Sequence, residues 1–146
     1  MNIRASELAA AIAERINRAL PEGFAVHAEQ SVLRIRSSTR WHVNTDVDLR
    51  DFFDGIGGEL DLSEVDVPRD YVFGRMALAV EQFLSTLQDD VSEELTIPWP
   101  PDITSTRLAM AMPFVEIDGK VLRSGFGQPD RLTIEFEPIE LTGFLR

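Results

Sequence analysis

The chain contains no cysteine. It therefore has no disulfide framework, no thiolate nucleophile and no zinc–thiolate site. Lysine is almost missing too, since Lys120 is the only one, and the 14 basic residues face 25 acidic ones. No apolar stretch approaches the ~20 residues that span a bilayer. The apolar run near the start, SELAAAIAERIN, is interrupted by Glu7, Glu14 and Arg15 and does not read as a signal peptide. A cytoplasmic protein is the expectation.

The missing positive charge is informative because the negative charge is concentrated. Eight carboxylates fall in residues 45–66 against Arg50 alone, and Asp89, Asp90, Glu93 and Glu94 add four more. Together these two segments carry the whole net charge of -11, which leaves the rest of the chain neutral. No basic stripe is available to neutralise phosphates, so nucleic acid is excluded as an expected ligand. An anionic membrane surface is excluded for the same reason.

What is present is enough hydrophobic residue, 44% of the 146, to build a sizeable core. One α+β domain over residues 1–146 is expected. Its centre is a long helix from about Pro68 to Leu95. Phe73, Met76, Val80, Phe83, Leu87, Val91 and Leu95 follow one another at steps of three or four, which aligns them in one stripe. Ala77 and Leu84 widen that stripe to the breadth of a core-facing helix. Pro98, Pro100 and Pro101 forbid its continuation. Gly74, inside the helix, suggests close approach by a neighbouring element.

A first helix is predicted over Ala5–Leu20, with Leu8, Ile12 and Ile16 inward and Ser6 or Asn2 as cap. Three strands follow, Phe24–Glu29, Val32–Ser37 and Trp41–Arg50. In the third, Trp41, Val43, Val47 and Leu49 alternate with His42, Asn44, Asp46 and Asp48, the pattern of a strand with one wet face. Parity then pairs Val26 with Ile35 across a Gln30-Ser31 turn, and Ile35 with Trp41. That register lays a polar row, His27–Arg34–His42, across the wet face. Residues 51–67 read as a long loop. After the long helix, a strand is expected over Arg107–Ile117, and Asp118-Gly119 marks a hairpin into Val121–Arg123. SGFGQPD reads as a loop, and Leu132–Glu137 as a last strand.

The order is α-βββ-α-βββ. It predicts a two-layer α+β sandwich, an antiparallel sheet with the long central helix packed on one face. In element order the chain is similar to small acidic secretion chaperones, which run α-βββ-α-ββ-α, a likeness of order that no motif carries.

Parts for catalysis are few. No G-x-S-x-G elbow occurs, and the glycine clusters GIGG and SGFG do not match phosphate-binding patterns. His42, Asp46 and Asp48 form a candidate hard-metal site, since alternate residues of a strand project to one side roughly 6–7 Å apart. Asp89, Asp90, Glu93, Glu94 and Trp99 form a candidate partner-binding surface: an acidic helix end followed by an aromatic held between prolines. The favoured function is a non-enzymatic protein-binding module without a cofactor, an adaptor, chaperone-like or immunity-type protein that presents acidic segments to a basic partner. The alternatives are a metal- or small-ligand protein or enzyme using His42, Asp46 and Asp48, and a structural homodimer pairing sheet edges.

Overall fold

A computed structural model describes residues 3–38, 46–53, 69–102 and 109–145. The order is α1 (Ala5–Asn17), β1 (Phe24–Glu29), β2 (Val32–Ser37), β3 (Val47–Asp48), α2 (Arg69–Leu95), β4 (Pro113–Asp118), β5 (Val121–Gln128) and β6 (Arg131–Glu140). This is the α-βββ-α-βββ succession that periodicity predicts. The strands form two antiparallel sheets, β1-β2-β3 and β4-β5-β6, with α2 between them in sequence. Buried side chains from both helices and both sheets form one hydrophobic cluster.

In α1, Leu8, Ile12 and Ile16 are buried as their spacing requires. Of the two expected caps, Asn2 lies outside the described residues and Ser6 does not act as one. Arg4 precedes the helix and gives no side-chain cap, and Ser6 lies within the first turn. The start is held instead by the chain's far end, where Arg4 N–H donates to the Phe144 carbonyl at 2.8 Å and Ile3 bridges Leu145. The helix stops at Asn17, short of Leu20.

The β1–β2 hairpin has the expected bounds and register, Val26 opposite Ile35 and His27 opposite Arg34. Its turn lacks glycine, and Gln30 takes the left-handed conformation itself (φ 54°). The β2–β3 register differs from expectation. Val32 pairs with Asp48 and Leu33 with Val47, four residues along the third strand from the predicted partners. Alternation fixes only parity, and a shift of four leaves every side chain on its face. The strand is also cut short, because Leu49–Phe52 turns into a 3₁₀ helix. Trp41, His42 and Val43 lie outside the described residues, as do residues 54–68 of the long loop.

In α2 the stripe is buried from Phe73 to Val91, with Ala77 and Leu95 half-covered at its borders. Gly74 serves no close approach: a Cβ there would meet nothing within 4 Å. In the second sheet, Gly119 and Lys120 make the expected hairpin turn. The predicted loop after Arg123 is instead strand through Gln128. Gly125 explains the difference. A Cβ there would lie 2.1 Å from the Ile134 carbonyl oxygen, so this glycine admits the neighbouring strand rather than marking a turn. β6 runs past Glu137 to Glu140, and Leu141–Phe144 forms a closing 3₁₀ turn. The sheet's wet face carries a ladder in which Arg123 bridges Glu116 (3.1 Å) and Glu135 (3.2 Å).

Candidate functional site: an acidic cleft

Residues 46–52 and one face of α2 enclose a cleft of about 530 Å³. Its sheet-side wall is built by alternation. Val47 and Leu49 point into the core, while Asp46, Asp48 and Asp51 line the opening with Phe52. Asp48 fixes this wall. Its Oδ1 accepts from the Ser31 hydroxyl (2.7 Å) and from the Arg50 N–H (3.0 Å), capping the 3₁₀ helix, and its Oδ2 pairs with the Arg50 guanidinium at 3.2 Å. Partial burial acts against the charge and is the largest single influence on Asp48. The Ser31 and Arg50 hydrogen bonds and the Arg50 charge together outweigh it, so the carboxyl sits below the usual aspartate value. Arg75 of α2 secures the wall's far end, donating to the Phe52 carbonyl at 2.5 Å.

The helical wall consists of Gln82, Thr86, Asp89 and Asp90. Their spacing places them on one strip of α2 beside the buried stripe. Five carboxylates thus line the cleft, and none of its described lining residues is basic. Their situations differ. Asp46 pairs with Arg34 at 3.3 Å, and Arg34 also reaches Glu29 at 3.1 Å. Asp90 is 7% exposed, whereas Asp51 and Asp89 open to solvent.

The residues singled out from sequence divide accordingly. Asp46 and Asp48 do lie side by side on the cleft wall, but each is engaged by an arginine, and His42 falls outside the described residues. Among the described residues no group of three or more histidines, cysteines and carboxylates is placed to hold a metal ion. The position opposite Arg34 on the wet face is served by Asp46, which revises the His27–Arg34–His42 row.

Of the acidic helix end, Asp89 and Glu93 are exposed, Asp90 is buried, and Glu94 accepts a hydrogen bond from the Ser37 hydroxyl at 3.0 Å. Of the four carboxylates named as a candidate partner-binding surface, two therefore open to solvent. Trp99 is 8% exposed and packs edge-on against Phe126, ring centres 5.5 Å apart, so it belongs to the core and offers no anchor at the surface. Sequence reasoning missed Gln82 and Thr86, whose one signal was polarity at helical positions.

No family model, no curated protein and no solved structure matches this chain. The geometry stands alone as the guide to function. Among the described residues no helix is long and apolar enough to cross a membrane.

Proposed function

We propose that this protein is a non-enzymatic protein-binding module, and that a basic segment of its partner enters the acidic cleft. The observation that carries the reading is the composition of the cleft: carboxylates from two distant parts of the chain converge on it, none of its described lining residues is basic, and beyond the arginine-paired Asp46 and Asp48 it presents Asp51 and Asp89 to solvent. Such a concave, single-sign surface focuses its field and speeds the encounter with a cation-bearing partner. Asp51 and Asp89 are the exposed pair best suited to an arginine of that partner, whose planar fork matches carboxylate geometry. An adaptor, a chaperone-like protein or an immunity-type inhibitor would use such a surface. The metal reading of Asp46 and Asp48 is weakened because binding a cation would require displacing Arg34 and Arg50.

The test is affinity capture from cell extract with the wild-type protein and with an Asp51→Lys/Asp89→Lys variant, each at low and high salt. A basic protein retained by the wild type, and released both by the substitutions and by salt, supports the reading. Capture indifferent to both overturns it.

A further inference from the structure

Among the described residues most large apolar side chains are covered; five are exposed, Tyr71 and Leu78 on α2 and, beyond its end, Ile97, Met110 and Met112 at 55%, 36% and 67%. Single exposed hydrophobics are ordinary. The last three are tied to one place. Met110 and Met112 flank Ala111, which is buried. Ala111 N–H donates to the Pro100 carbonyl at 2.8 Å, and its own carbonyl accepts from the Gln88 amide. The alternation turns both methionines outward from a segment pinned against α2. The Met110 sulfur lies 3.3 Å from the Ser92 hydroxyl oxygen, and that oxygen accepts from Trp99 N–H at 2.9 Å. The methionine segment, the last turns of α2 and the chain from Ile97 to Trp99 therefore meet at Ser92.

Ser92 is also where the exposed carboxylates stand, with Asp89 three residues before it and Glu93 next to it. The last turn of α2 holds no basic residue of its own to offset the partial negative charge of the helix end. An apolar surface is thus bordered by negative charge on its helical side. Methionine suits such a surface, since its unbranched, polarizable side chain adapts to varied apolar partners.

We propose that Ile97, Met110 and Met112, with the acidic end of α2, form a docking surface for a basic amphipathic helix of a partner protein. Charge complementarity selects this occupant. A second copy of the chain would bring like-charged helix ends together and carry its own net -11, and an anionic membrane would be repelled by the same carboxylates. The inference rests on the protein-binding reading above but places the apolar contact outside the cleft.

The experiment titrates the protein with a fluorescent synthetic peptide of leucine and lysine at helical spacing, beside a leucine–glutamate peptide of the same pattern. The expected result is saturable binding of the lysine peptide that weakens about tenfold in Met112→Glu and in the milder Met110→Gln/Met112→Gln, and that weakens in Glu93→Lys and at high salt. Circular dichroism confirms that each variant is folded. Lysine-peptide binding unchanged by both methionine variants overturns the proposal. So does equal binding of the glutamate peptide, or a wild-type dimer that Met112→Glu dissolves. Asp51→Lys separates the two readings: binding lost there but kept in the methionine variants leaves the cleft standing and rejects this surface.

Discussion

The side chain of Asn17 occupies the backbone of Val26 as a neighbouring strand would: Nδ2 donates to the Val26 carbonyl at 2.8 Å, and Oδ1 accepts from the Val26 N–H at 2.7 Å. β1 forms one edge of its sheet, and both Val26 groups point away from β2. An open edge of this kind is a template for another chain. Asn17, the last residue of α1, closes it. Asn17→Ala leaves both Val26 groups without their partner and is expected to destabilise the protein by about 1–3 kcal/mol, with self-association rising at high concentration. Urea denaturation and light scattering after size exclusion check the two effects. A variant as stable and as monomeric as the wild type would show that the edge needs no plug.

Phe83 and Leu78 lie on opposite sides of the same helix. Phe83 is 0% exposed and Leu78 43%. Phe83→Ala should cost about 3–5 kcal/mol, the loss for a buried aromatic that leaves a cavity. Leu78→Ala should change stability by less than about 0.5 kcal/mol, as surface substitutions do. Equal losses at the two positions would mean that the exposed face of α2 is itself covered.

Two glycines make opposite predictions. Gly125 has the Ile134 carbonyl where its Cβ would go, and Gly74 has open space. Gly125→Ala must push β5 and β6 apart, at a cost of about 3 kcal/mol. Gly74→Ala relieves the entropic penalty of glycine in a helix and should stabilise by about 0.5–1 kcal/mol. Thermal denaturation of both variants decides. A neutral Gly125→Ala would show that the strands are not so closely apposed.

These contrasts trace how far the sequence could be read. The α2 stripe and the β1–β2 register were legible because burial enforces a period, and a hairpin of two residues leaves one pairing. The β2–β3 register was not, because a shift of four residues satisfies the same alternation. Ser124–Gly127 read as a loop because glycine signals both a turn and a close strand contact, and only coordinates separate them. Asp90 lies three residues after Leu87, on the flank of the stripe, so its burial was written in position and masked by its charge. The cleft was hidden most completely. It needs residues 46–52 beside residues 82–90, a tertiary contact, and polar residues spaced along a helix look the same on any solvated face.

Asp48 links the cleft wall to pH. Its carboxyl is held below the ordinary aspartate value in the folded protein, because the hydrogen bonds from Ser31 and Arg50 and the Arg50 charge outweigh the effect of burial. A folded-state value below the unfolded one means that the unfolded chain binds the proton more readily. The associated stability is therefore fully present above the unfolded value, near pH 4, and is lost as pH falls through the folded one. Asp48→Ala removes both this contribution and the cap on the 3₁₀ helix. Near pH 7 it should cost about 1–2 kcal/mol, in the range of lost N-caps. Asp48→Asn keeps an oxygen for the cap and removes only the titrating charge, so it should cost less near pH 7. Its difference from wild type should begin to shrink as pH falls below the unfolded value, about pH 4, and should vanish only below the folded-state value, where both side chains are neutral. Urea unfolding of the three proteins across this pH range measures this. An Asp48→Asn penalty that stays constant with pH would mean that the Asp48 charge is not linked to folding, and that Ser31 and Arg50 hold the wall by geometry alone.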